Sequence, residues 1–351
     1  MTNRVLLSAF AVMVSAGMMA QHEAGLKNVY KDYFTVGVSV NQRNVTTPSQ
    51  MALIFQEFNS ITAENDMKPE PTEPQEGVFH WERADRIANF CRSQGIKMRG
   101  HCLVWHNQIG KWMFDDNGQT ASKELLLKRL RSHIHKIVSR YKDVVYAWDV
   151  VNEAITDDPQ AENPYRPSVL YQIAGEDFIR KAFEYAHEAD PKALLFYNDY
   201  NETDPVKCER ICQMVRRMRA DGVPIHGIGM QGHYNTVYPS EELLDEAIQK
   251  YKEVVGHIHV TELDVRMTNE TGGQLEFGHD GVADSSAIAR QTAQYDMLFR
   301  VFRRHHDIID NVTFWNLSDR DSWLGSDNEP LLFDAEYRPK PVYQVIASPS
   351  E

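Results

Sequence analysis

The sequence predicts an α/β chain folded as a single (β/α)8 TIM barrel, and three observations carry that prediction. Short apolar runs alternate with amphipathic segments from Phe34 onward, the pattern of βα units and a parallel sheet. Eight such runs can be counted, the number that closes a barrel. Polar and aromatic residues gather at the C-terminal ends of seven of them, the face on which such barrels carry their chemistry.

The elements follow in order. Phe34–Val40 is the first strand, and a helix starts near Pro48. Ser60–Glu64 is the second, with a helix from about Trp81. Lys97–Trp105 is the third. The helix after it starts at Ser122 and runs to Lys142 with a basic outer face, read as solvated surface that includes His133-Ile134-His135. Val144–Val151 is the fourth strand, followed by a helix near Gly175, and Ala193–Asp199 is the fifth. Pro205 then sits well in a first helical turn. Ile225–Gln231 is the sixth. Ser240-Glu241-Glu242 supplies an N-cap and an acidic first turn. His257–Glu262 is the seventh strand. Thr268–Ser285, with Gly and Asp, reads as a long loop on the barrel mouth, and a helix starts near its end. Val312–Leu317 is the eighth strand, and a last helix follows Pro341.

The 351 residues, 42% of them hydrophobic, suffice for a full core. A net charge of −13 disfavours nucleic acid and anionic membrane surfaces. Arg4 is the only charge before Glu23, and the run from Val5 to Ala20 is apolar but too short to span a bilayer. Residues 1–20 are therefore expected to be a signal peptide, cleaved after Ala20 or Ala16, and 21–351 the barrel domain. The expected location is secreted or periplasmic. Cys91, Cys102, Cys208 and Cys212 lack zinc-type spacing, and Cys208 and Cys212 lie four apart on a helix, a poor disulfide geometry. All four read as free and buried.

The strand ends carry the functional signal. The second ends Glu64-Asn65 with Lys68 one turn on, and the third runs through His101 to Trp105-His106. The fourth ends Asn152-Glu153 and the fifth Asn198-Asp199-Tyr200-Asn201. The sixth ends Gln231-Gly232-His233, the seventh Glu262-Leu263-Asp264, and the eighth Trp315 to Asp319, followed by Trp323. Aromatic faces pack on the apolar faces of sugar rings while amides and imidazoles bind hydroxyls. No GxGxxG follows the first strand and no P-loop is present, so nucleotide cofactors have no support. Glycosidic cleavage needs two carboxyls flanking the bond, and Glu153 and Glu262 end strands on opposite sides of the mouth.

Glu64-Asn65-Asp66-Met67-Lys68, Gly100 to His106, Trp148 to Glu153, Asn198 to Asn201, Gly229 to His233, Thr261 to Asp264 and Trp315 to Trp323 resemble the family 10 glycoside hydrolases, chiefly endo-1,4-β-xylanases. The resemblance runs from about residue 26 to 347. It implies a retaining double displacement on internal bonds of xylan, with Glu153 as acid/base and Glu262 as nucleophile. Glu153 would then rest protonated and Glu262 ionised. It further implies that Glu64, Asn65, Lys68, His101, Trp105, Gln108, Gln231, Trp315 and Trp323 line the glycone side, the two tryptophans disfavouring a hydroxymethyl group. Asn152 and His233 would flank the nucleophile and the sugar 2-hydroxyl, and Tyr200 and Asn201 the first aglycone position. The implied partners are xylan and xylooligosaccharides. No cofactor, metal, nucleic acid or membrane is expected, and the chain is expected to be a monomer.

Three positions depart from the family pattern: Cys102 where Thr is frequent, Leu170 where Trp is common, and Asn316 in place of a frequent Gly. The remaining features take plainer readings. His257 and His259 read as satisfied core or surface histidines rather than metal ligands. Asp319, Asp321, Asp327 and Glu329 have the composition of a calcium loop but not the spacing. The sequon at Asn201 would place a glycan in the site and is read as chance. A β-1,4-glucanase on the same fold and a xylan-binding protein without turnover are the rival readings.

Overall fold

A computed structural model describes residues 25–267, 285–325 and 328–349. The expected signal peptide and most of the Thr268–Ser285 loop lie outside the described residues.

Eight strands form a closed parallel barrel: β1 Thr35–Val40, β2 Ser60–Ala63, β3 Lys97–Trp105, β4 Val145–Asn152, β5 Leu194–Asp199, β6 Gly227–Met230, β7 His257–Arg266 and β8 Ile309–Phe314. Each pairs with the next, and β8 pairs with β1 through Val36 opposite Val312. The helices that cover them are α1 Pro48–Glu57, α2 Glu82–Gln94, α3 Lys123–Tyr141, α4 Asp177–Ala189, α5 Pro205–Ala220, α6 Glu241–Lys252, α7 Ser285–Arg304 and α8 Pro341–Ala347. Several start where a side chain satisfies an orphan N–H. The Ser122 hydroxyl accepts from Leu125 at 3.2 Å, and Asp204 accepts from Val206 and Lys207 at 3.0 and 2.9 Å.

Side chains alternate along each strand, so every strand feeds two cores. The outward set meets the helices. Trp148 is fully buried there, directly beside Gly100 of β3. A Cβ on Gly100 would lie 2.1 Å from the Trp148 ring, so only glycine fits. The inward set is polar. Arg99 of β3 donates to Asp149 of β4 at 2.6 and 3.1 Å and to His259 of β7 at 2.8 Å. Burial of such charges is tolerable because each is paired.

Some expectations need correction. β8 begins at Ile309, three residues before the expected Val312, and stops at Phe314. Asn311, left outside the expected strand, is buried and donates to Thr35 at 2.8 Å and Tyr146 at 3.2 Å. The chain turns at Asn316 with φ 94°, in the left-handed region that glycine prefers. β7 runs past Glu262 to Arg266 because its far end pairs with a short strand, His233–Asn235. His133 is buried, not on the surface, and its Nδ1 lies 2.7 Å from Glu73 Oε2. It shares the inner face of α3 with Leu126, Leu130, Ile134 and Ile137. A small hairpin, Asp115–Asp116 with Gln119–Thr120, and a short helix, Val169–Ala174, were not anticipated. The four cysteines are buried free thiols. His259 stacks on Phe196 in the barrel interior, and His257 pairs with Asp310 at 2.6 Å. Asp319 is paired with Lys340 at 2.8 Å and Asp321 with Arg43.

Candidate active site

The strand ends converge on one cleft of about 510 Å³ at the C-terminal mouth of the barrel. Glu64, Asn65, Lys68, His101, Trp105, Gln108, Asn152, Glu153, Tyr200, Gln231, His233, Glu262, Trp315 and Trp323 all line it. Asn201 does not: it is buried, and its amide donates to Asp157 at 3.2 Å. Leu170 is also absent from the wall, being buried in the core.

β4 ends at Asn152, and Glu153 turns the chain with φ 59°, an uncommon value for a residue with a Cβ. Its N–H donates to the Asn198 carbonyl at 2.9 Å. The turn swings its carboxyl over the cleft. There Oε2 accepts from Trp105 Nε1 at 2.8 Å, and Oε1 from Gln231 at 3.0 Å and Asn152 at 3.3 Å. Glu262 projects from β7 and is nearly buried. Its Oε1 accepts from Asn198 at 2.8 Å, and its Oε2 lies 3.0 Å from His233 Nε2. His101 stands 3.8 Å from Oε1. Asn198 also donates to Asn152 Oδ1 at 2.8 Å, so side-chain amides tie the two carboxyls together.

The surroundings push these carboxyls in opposite directions. Burial raises the pKa of Glu153, and the nearby Asp199 and Glu262 charges add to it against the donors on its oxygens. Burial also acts to raise Glu262, but His101 and His233 outweigh it and the net shift is downward. His233 can do this because Asp264 lies 3.0 Å from its Nδ1: burial opposes its charge, yet Asp264 and Glu262 raise its pKa to about 10. Asp149, itself held at about 2, supports His101 at 3.0 Å; burial works against its charge, and Arg99 and His101 prevail.

The walls are aromatic. Trp105 carries Lys68 4.9 Å from its ring centroid, and Lys68 donates to Asn65 at 2.9 Å. Trp315 meets His101 edge-on at 5.2 Å. Trp323 is 38% exposed and lies 4.9 Å from His233, its indole N–H donating to Asp264 at 2.8 Å. Two carboxyls whose pKa values are pushed apart, between stacking walls and with amides aimed inward, can cleave a glycosidic bond.

The model of glycosyl hydrolase family 10 matches residues 25–349. The chain belongs to that family. A family 10 relative from Xylanibacter ruminicola, an endo-1,4-beta-xylanase/feruloyl esterase, is 53% identical over 92% of the chain, which spans 46% of that protein. Endo-1,4-beta-xylanase B of Paenibacillus barcinonensis is 43% identical, with 93% of this chain and 99% of that one covered. Among solved structures, a psychrophilic family 10 endo-beta-1,4-xylanase superposes with a TM-score of 0.89 at 56% identity, covering 93% of this chain and 99% of that one.

In this family 10 chain, several side chains were given no role by the sequence reading. His106, which stood at the third strand end, Asn107 and Arg166 line the cleft as well. Burial, with Arg166 nearby, pushes the His106 imidazole down to about 4. Asn198, Asp149 and Asp264 touch the central groups from behind. Asn198 and Asp264 stood in the strand-end motifs already noted, and that position was the one available signal. Arg166 lies in the loop after Glu153, where no local pattern marks it. Among the described residues no group of His, Cys, Asp and Glu could hold a metal ion, and no helix is long and apolar enough to cross a membrane.

Proposed function

We propose that this family 10 hydrolase is an endo-1,4-β-xylanase that cleaves internal bonds of xylan and xylooligosaccharides with retention. The observation that carries the reading is the pair Glu153 and Glu262, joined by amides in one cleft, with burial pushing the first carboxyl's pKa up and the flanking imidazoles pulling the second's down. The xylanase names of both relatives support the substrate.

Glu262, ionised between its imidazoles, attacks the anomeric carbon, while Glu153 gives its proton to the departing glycosidic oxygen. The resulting glycosyl ester on Glu262 is then hydrolysed by water that Glu153, now a carboxylate, deprotonates. Asn152, fixed by Asn198 and Gln231, has an amide N–H beside the reacting centre for the 2-hydroxyl. Trp315 and Trp323 crowd the position that a hydroxymethyl group would occupy, which favours xylose over glucose.

Release of reducing sugar from xylan is the first test, and its absence from a folded enzyme overturns the reading. NMR of the first product anomer distinguishes retention from inversion. Glu262→Ala should lose nearly all turnover. Glu153→Ala should be spared on aryl xylobiosides with good leaving groups, which need little acid help. Faster cleavage of aryl cellobioside than of aryl xylobioside would favour a glucanase. Secretion as a monomer is part of the proposal. The exported chain should begin at Gln21 or Gly17, and an intact cytoplasmic chain beginning at Met1 refutes it.

A further inference from the structure

Lys207 is buried to 2% exposure and does not line the cleft, yet it pairs with two carboxylates whose hydrogen bonds reach the chain at Glu153. It projects from the first turn of α5, and its ammonium is shared between Asp157 Oδ1 at 2.7 Å and Asp199 Oδ1 at 2.8 Å. Each carboxylate leads back to the backbone beside Glu153. Asp199 accepts from the Tyr197 hydroxyl, and that oxygen accepts the N–H groups of Ala154 and Ile155, both at 3.0 Å. Asp157 takes Arg166 Nη2 at 3.1 Å, and Arg166 Nε donates to the Glu153 carbonyl at 2.9 Å. The same Asp157 accepts from the Tyr200 hydroxyl, and the Lys207 ammonium lies 3.9 Å from the centroid of that ring. A ring of side chains therefore grips the chain at the Glu153 carbonyl and at the two following N–H groups, where φ of Glu153 is 59°.

We propose that Lys207 is a positioning residue for Glu153: by bridging Asp157 and Asp199 it locks the turn that aims the Glu153 carboxyl at the glycosidic oxygen. The inference rests on the reading of Glu153 as the acid/base. Two carboxylates in this layer repel each other unless a cation stands between them. Without Lys207 the arms through Tyr197 and Arg166 lose their common anchor, and Glu153 is held by fewer backbone contacts. A misplacement of about 1 Å can cost about a hundredfold in rate.

The test compares Lys207→Met and Lys207→Arg with Glu153→Ala, using kcat/KM for phenyl and dinitrophenyl β-xylobiosides, which reports the first step alone. Lys207→Met should lose roughly tenfold to a hundredfold on the phenyl substrate and less than about threefold on the dinitrophenyl substrate. Lys207→Arg should recover most of the loss, because the bridging charge is kept. Should Lys207→Met fail to fold, Asp157→Ala breaks the same ring at a partly exposed site and carries the same expectation. Equal loss on both substrates, or none on either, overturns the proposal while Glu153→Ala shows selective loss. If Glu153→Ala itself shows no leaving-group selectivity, the acid/base reading falls, and the proposal falls with it for that separate reason.

Discussion

Replacing Gln231 by Met removes one donor from the Glu153 carboxyl at nearly constant volume. Gln231 Nε2 serves Glu153 Oε1 at 3.0 Å and Asn152 Oδ1 at 3.2 Å. Trp105 and Asn152 would still donate to the Glu153 carboxyl. A hydrogen bond to a charged acceptor is worth about 1.5–3 kcal/mol, and a bond shared with a second acceptor belongs at the lower end. At about 1.4 kcal/mol per unit, Glu153 should move up by roughly one pKa unit. In the proposed mechanism Glu153 works protonated, so activity should fall as pH rises through its pKa. The basic limb of kcat/KM on phenyl β-xylobioside should therefore shift to higher pH by about one unit. The acid limb follows Glu262, whose partners are His101, His233 and Asn198, and should stay in place. Weaker substrate binding lowers the whole profile without moving either limb. A basic limb that stays put or moves down, in a variant of unchanged thermal stability, refutes the reasoning, as does a parallel shift of both limbs.

Two further predictions concern stability. His233 has its pKa raised to about 10 in the folded chain, so the stability it adds is present below its unfolded value of about 6.5 and lost as pH rises to about 10. Thermal midpoints should fall across that window, and His233→Gln should fall less steeply; an identical slope refutes the assignment. Gly100→Ala sets a methyl 2.1 Å from Trp148 and should destabilise by about 1–3 kcal/mol, read by chemical denaturation. Trp148→Leu in the same chain should return part of that loss, and strict additivity of the two changes would count against a direct clash.

Most of the barrel was legible because strands feeding two buried layers are apolar, and caps such as Ser122 and Ser240 mark where helices begin. The strand whose start was misplaced is the one in which buried Asn311 finds its acceptors on other strands, at Thr35 and Tyr146, while Thr313 donates back to Asn311. His133 failed in the same way, since Glu73 lies sixty positions away. The cleft followed the same division. Residues that line the cleft, such as Trp105, Gln231 and Glu262, stood at strand ends where the pattern could be read. Arg166, which acts through the Glu153 carbonyl and Asp157, carries no mark in its own neighbourhood. Asn201 shows the converse, having the right place in a motif while its amide turns to Asp157.

The polar interior of the barrel decides how the molecule can be divided. Arg99 on β3 finds Asp149 within its own half, but its third donor is met by His259 on β7, which leans on Asp310 of β8 at 2.9 Å. A fragment ending after β4 would hold a guanidinium with a donor unmet, and the complementary fragment an imidazole without its donor. Each half also keeps one of the two carboxyls. Fragments cut between β4 and β5 should therefore be poor folders apart and mutually selective when mixed, with hydrolysis returning only as the halves reassemble.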